Sequence, residues 1–147
     1  MMIYISSDHA GFEFKKEIKE ILDKLGYEHE DLGPETYDKK DDYPDYAFKL
    51  SEKVITENGL GILTCDTGVG MSIAANKVKG VRAALVTDMF QAKRSREHEN
   101  SNILILEEEN HEAKKTEEIL KTWLEIEFTG EERHVRRLKK ISDYENK

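Results

Sequence analysis

Residues Leu63 to Lys77, LTCDTGVGMSIAANK, carry an apolar run into the only cysteine of the chain and then into a glycine-punctuated turn that opens a helix. A short apolar run closed by Gly68 and Gly70 reads as a buried strand feeding a tight loop, with Ser72 to Lys77 as the first turns of the helix behind it. The start of a helix offers unpaired N–H groups and partial positive charge, which favour an anion and lower the pKa of a nearby thiol. Cys65 is therefore either an apolar packing residue at a strand end or a nucleophile or base beside a ring of backbone amides.

The same alternation extends outward in both directions. Runs rich in Ile, Val and Leu stand at Met2 to Ile5, Gly61 to Leu63, Val81 to Val86 and Ile103 to Leu106, with helical periodicity between them. Phe12, Phe14, Ile18, Ile21, Leu22 and Leu25 recur at threes and fours before Gly26 supplies a stop. Tyr27 to Leu32 predicts a polar edge strand and Gly33 to Tyr43 a charged loop, after which Pro44 opens a helix carrying Ala47, Leu50, Val54 and Ile55. Asp88 predicts the cap of a helix through His98, and Glu112 to Leu124 predicts another with Ile119, Leu120, Trp123 and Leu124 inward. Glu131 to Lys140 reads as a polar terminal helix with Arg133 and Arg137 on one face. About five strands alternating with about six helices imply an α/β fold. The expected architecture is a Rossmann-like three-layer α/β/α sandwich with a five-stranded parallel sheet and a C-terminal helix, in one domain over residues 1–147.

Bulk properties exclude several classes. A formal charge of -8 argues against a nucleic-acid binder, which needs a clustered basic surface to release counterions. One cysteine rules out an intrachain disulfide framework, and the opening MMIYISSDHAG lacks the features of a secretory signal, so a reducing cytoplasm is expected. No apolar run reaches the roughly eighteen residues of a membrane helix.

Ligands of doubly wound sheets bind beyond the carboxyl ends of the strands, which directs attention to Ser7, Asp8 and His9, to Cys65, Asp66 and Thr67, and to Asp88. With the helix ending near His98 and Asn100, the reading places His9 and His98 together at one edge. A metal site is not expected: His9, His29, His98, His111 and His134 show no two-ligand spacing, and one cysteine cannot complete a thiolate cluster. A Cys-His hydrolase is compatible with composition, but the loop lacks the local protease signatures. A dinucleotide site is disfavoured because Gly68-Val69-Gly70-Met71 lacks a third glycine. Binding of a phosphate or an enediolate by backbone amides requires less.

Five segments in order carry a family resemblance: SDHAGFEFK at Ser7 to Lys15, DYPDYA at Asp42 to Ala47, CDTGVGMSIAANKVKGVRAAL at Cys65 to Leu85, REHENSNIL at Arg96 to Leu104, and ERHVRRLKKI at Glu132 to Ile141. Together they resemble the ribose-5-phosphate isomerase B family, which also includes galactose-6-phosphate isomerase subunits and related sugar-phosphate isomerases. The resemblance implies interconversion of ribose 5-phosphate and ribulose 5-phosphate, a step of the pentose phosphate pathway, through a cis-enediolate with no metal or organic cofactor. It implies Cys65 as the general base, His98 with Asp8 and Thr67 in ring opening, and an oxyanion site from the amides of Thr67, Gly68, Val69 and Gly70, with Asp66 in the same loop. Tyr43 matches a tyrosine lining the sugar pocket, and His9, Arg133 and Arg137 match the phosphate contacts. It further implies a homodimer with shared active sites, His98, Asn100 and the arginine helix coming from the partner, and dimers of dimers as an extension.

Members of another subtype use a glutamate where this chain has Met71, which places it on the cysteine side. Two departures add negative charge: Asp66 stands where the family has glycine, and Glu109, within LEEEN at Leu106 to Asn110, stands where it has an arginine. An inward Asp66 opposes thiolate formation, since unit charges 4 Å apart repel by about 4 kcal/mol at an effective dielectric near 20. Two alternatives therefore stay open: an isomerase of allose 6-phosphate, galactose 6-phosphate or a four-carbon ketose phosphate, and a non-catalytic sugar-phosphate-binding domain.

Overall fold

The computed structural model describes residues 1–147. Five strands, β1 (Ile3–Ser7), β2 (His29–Asp31), β3 (Leu60–Cys65), β4 (Ala83–Leu85) and β5 (Ile103–Glu107), form one parallel sheet in the order β2-β1-β3-β5-β4. Six helices accompany it: α1 (Phe12–Leu25), α2 (Tyr43–Glu57), α3 (Val69–Ala75), α4 (Met89–Glu97), α5 (Ala113–Glu125) and α6 (Glu132–Glu145).

The period-two alternation of side chains along a strand divides the core into two layers. Ile3, Ile5, Ile62, Leu104 and Leu106 face α1, α4 and α5, packing against Phe14, Ile18, Leu22, Ala92, Leu120 and Trp123. Tyr4, Leu63, Cys65, Ile103 and Ile105 face α2 and α3, against Ala47, Leu50, Val54, Met71 and Ala75. Both faces are buried, so the inner strands read as continuous apolar runs. The polar β2 lies at one edge, as its sequence predicts.

The other edge is blunted by Asn76, whose Nδ2–H donates to the Ala83 carbonyl at 3.0 Å while its Oδ1 accepts from the Ala83 N–H at 2.8 Å. A side-chain amide thus occupies the place of a further strand. This local pairing, together with Arg82 N–H donating to Asn102 Oδ1 at 2.8 Å, confines β4 to three residues of the expected Val81–Val86 run. Leu138 and Ile141 of α6 share a crevice with Val81, Ala83 and Ala84, so the terminal helix runs along this edge.

Helix α3 starts at Val69, three residues before the expected Ser72, because Gly68 adopts φ 79° and turns the chain at once from strand to helix. Helix α6 continues past the expected Lys140 to Glu145, whose Oε2 accepts from the Gly80 N–H at 3.2 Å.

From β1 the chain moves outward to β2, then crosses to β3 on the other side of β1. The sheet therefore has a topological switch point between the carboxyl ends of β1 and β3. Gly11 lets these two ends meet: a Cβ at this position would overlap the carbonyl oxygen of Thr64 and lie 2.7 Å from its carbon.

Candidate active site

At the switch point β1 delivers Asp8 and His9, and β3 delivers Cys65. Cys65 is buried. Burial pushes its thiol above the usual range; the amides of Gly68 and Met71 pull the other way, and the charges of Asp8 and Asp66 add smaller upward contributions. Loss of solvent thus outweighs the amides that the sequence reading relied on to lower this pKa. Asp8 is buried as well, accepts from the Gly11 N–H at 3.1 Å, and is raised above the ordinary carboxyl range by desolvation. Burial thus works against the charged form of each group.

The Cys65 loop is shaped by its glycines. A Cβ on Gly68 would come within 2.6 Å of Leu85 Cδ1, and one on Gly70 within 2.6 Å of Tyr43 Cζ. Tyr43, the first residue of α2, accordingly lies against the loop at Gly70. Thr67 is exposed, and its Oγ1 accepts from the Val69 N–H at 3.3 Å; Val69 itself is exposed.

Asp66 turns to the rim. Its carbonyl accepts from the N–H groups of Glu108 and Glu109, each at 3.1 Å, and its carboxylate gathers with theirs so that one oxygen from each lies within 4.8 Å of the others. A hydrogen bond to Asp66 and the charge of that carboxylate raise the Glu109 pKa. The two acidic departures are thus neighbours of one another, and Asp66 is the smallest of the named influences on Cys65.

His9 has a partner that sequence reasoning missed. Its Nδ1 lies 2.6 Å from Asp41 Oδ1, and its backbone N–H donates to the same oxygen at 3.1 Å. Only the acidic character of the loop before Tyr43 hinted at this, and four nearby acids, Asp38, Asp41, Asp42 and Asp45, gave the hint no direction.

His98, Asn100, Arg133 and Arg137 lie elsewhere. In the β3–β5 register Gly61 pairs with Ile103 and Cys65 with Glu107. The 98–102 turn precedes Ile103 and so sits at the opposite end of the strands, at least about 13 Å away at roughly 3.3 Å per residue. The expectation of His9 and His98 at one edge is corrected here: α4 runs antiparallel to the strand it follows and carries His98 back across the sheet.

The turn is firmly built. Arg82 Nε donates to the Asn100 carbonyl at 2.9 Å, Arg96 donates to the Ser101 carbonyl, and Trp123 Nε1 donates to Ser101 Oγ at 2.9 Å. The His98 ring stacks on buried His134 of α6, with centroids 4.1 Å apart, while Arg133 and Arg137 are exposed on the same helix. One chain therefore separates the sequence-predicted residues into two groups: Asp8, His9, Tyr43, Cys65 and the 66–70 loop at one end of the sheet, and His98, Asn100, Arg133 and Arg137 at the other. No helix is long and apolar enough to cross a membrane.

A parallel sheet with a buried thiol, a buried carboxyl and a glycine turn at its switch point defines a Rossmann-like α/β protein with equipment for proton transfer. The chain belongs to the Ribose/Galactose Isomerase family, whose model matches residues 3–141. A Bacillus subtilis (strain 168) protein, YwlF, named provisionally as a sugar phosphate isomerase, is 51% identical over 148 residues, covering 100% of this chain and 99% of its own. Among solved structures, ribose-5-phosphate isomerase B of Clostridium thermocellum superposes with TM-score 0.94 at 44% identity, over 99% of this chain and 98% of that one. The Mycoplasma genitalium enzyme of the same name, with bound ribulose-5-phosphate, superposes with TM-score 0.93 at 44% identity, over 99% and 97%. The fold and the family resemblance read from the sequence are both borne out.

Proposed function

We propose that this isomerase interconverts ribose 5-phosphate and ribulose 5-phosphate through a cis-enediolate. The observation that carries the reading is the meeting of Cys65, Asp8 and the glycine turn beside Tyr43 at the switch point. Cys65 removes the proton from the carbon next to the carbonyl and returns it one carbon away, while the N–H groups of residues 67–70 hold the negative oxygen. Ring opening precedes this step and falls to His98 with Asp8, assisted by Thr67. His9, Arg133 and Arg137 bind the phosphate.

His98, Asn100, Arg133 and Arg137 stand too far from Cys65 to serve it within one chain, so a complete site draws them from a second copy. A homodimer with two shared sites follows. Val69 and Ile73, 51% and 58% exposed beside the Cys65 loop, supply apolar surface for the contact. The bound ribulose-5-phosphate of the Mycoplasma genitalium relative supports the substrate class. The test is conversion of ribose 5-phosphate by purified protein; no conversion, under conditions where an authentic isomerase is active, sinks the assignment.

The acidic rim of Asp66 and Glu109 favours one second reading, the same chemistry on a different sugar phosphate. A panel with allose 6-phosphate, galactose 6-phosphate and four-carbon ketose phosphates separates the two by kcat/KM.

A further inference from the structure

The His9–Asp41 pair is built more tightly than a surface ion pair. Asp41 is contributed by the loop between β2 and α2, yet its side chain is only 5% exposed. Its Oδ1 receives both the ring and the backbone N–H of His9, fixing main chain and imidazole together. Its Oδ2 is buried and has no hydrogen-bond partner. A buried carboxylate with an unpaired oxygen is costly unless a positive charge stands beside it, and His9 is the cation-forming group in hydrogen-bond contact.

The chemistry of the ring gives this contact a consequence. With Nδ1–H committed to Asp41, neutral His9 has a bare Nε2, which can only accept a hydrogen bond; Nε2 donates only when the ring is an imidazolium. A phosphoryl dianion offers acceptors alone, so recognition by His9 requires the charged form.

We propose that Asp41 is a positioning residue for phosphoryl recognition: it orients His9 and holds it as an imidazolium whose Nε2–H is presented to the dianion. The proposal rests on the phosphate-binding role of His9 given above. The neighbouring carboxylates of this chain agree in sign, while burial of the ring works against them. Asp8 on the same loop and Asp38 and Asp41 on the facing loop all favour the cation, and the hydrogen bond to Asp41 is the largest cause of the raised His9 pKa. Tyr37 meets the ring edge-on at 6.2 Å. From α2, Tyr46 lies near Asp41, and burial first, then the Asp41 charge, raises its phenol pKa, which keeps it neutral. In the two-chain site Arg133 and Arg137 join from the partner and act in the opposite direction.

The experiment compares wild type with Asp41→Asn and Asp41→Glu by histidine NMR titration, inorganic phosphate binding, and kcat and KM for ribose 5-phosphate from pH 6 to 9. Asp41→Asn should lower the His9 midpoint by about one pH unit. It should raise the phosphate Kd and the KM about tenfold on the alkaline side of that midpoint, with kcat within about threefold. Asp41→Glu, which restores the charge, should recover part of both. An unmoved His9 midpoint, or a loss confined to kcat, overturns the proposal.

Should Asp41→Asn fail to fold, wild type alone decides: affinity expressed per phosphate dianion must fall as pH rises through the His9 midpoint, and a flat profile rejects the idea. Phosphate binding and His9 titration need no turnover. An inactive wild type whose phosphate affinity still depends on Asp41 removes the isomerase reading and keeps this one.

Discussion

The rings of His98 and His134 lie face to face, 4.1 Å between centroids and 17° apart in plane, joining the end of α4 to the first turn of α6. Burial, followed by the neighbouring His98 and Arg133, lowers the pKa of His134. Its folded pKa is thus below the unfolded value near 6.5. The unfolded chain takes up the proton first as pH falls, so the contribution of His134 to stability is present above about pH 6.5 and lost below it. Thermal melts of wild type and His134→Phe, which keeps a ring against His98 but does not titrate, should diverge between pH 7 and 5 with wild type losing more. Parallel curves count against the argument.

Cys65→Ala should lower kcat by roughly a thousandfold, in the range of a lost general base, while leaving KM for ribose 5-phosphate nearly unchanged. Because burial holds the thiol above its usual pKa, kcat/KM of wild type should climb between pH 7 and 8.5 with a slope near one. Alkylation by iodoacetamide should follow the same pH curve, and a rate already level at pH 7 would mean that the thiolate is preformed.

The glycines at the switch point should separate stability from binding. Gly11→Ala presses a methyl group into the backbone of Thr64, which cannot yield, and should cost about 2–3 kcal/mol in urea unfolding. Gly70→Ala meets the movable ring of Tyr43 instead, so it should raise KM with little change in the urea midpoint.

Complementation tests the shared site. Cys65→Ala damages one half-site and Arg137→Ala the other, so a heterodimer of the two variants contains one site in which both halves are intact. Mixing the two after dissociation should restore about one quarter of wild-type activity, since half of randomly assorted dimers are mixed and each has one good site. Activity that never exceeds that of the separate variants would place both residues in the same site of one chain.

Much of the fold was legible because its signals are local. The apolar positions of α1 recur within one helix and end at Gly26, which takes the left-handed conformation of a stop, and Asp88 caps α4 by accepting from the Gln91 N–H at 2.7 Å. Boundaries slipped where a distant residue intervened, as Asn76 and Asn102 did at β4. In the candidate site, Asp8, Cys65 and Tyr43 were legible, since strand ends and a glycine turn are read from neighbouring residues. His98 was named but misplaced, because the position of a residue after a helix depends on the direction in which that helix returns.

The sequence by itself determined the alternation of strand and helix, the glycine turn after Cys65 and the family to which the chain belongs, all written in spacings of a few residues. Only the tertiary structure decided that Asp66 faces Glu109 on the rim, that Asp41 grips His9 across the β2–α2 loop, and that His98 and the arginine helix stand at the far end of the sheet from Cys65. The reason is physical: these relations join residues through the path of the folded backbone, and neither periodicity nor composition carries the direction of that path.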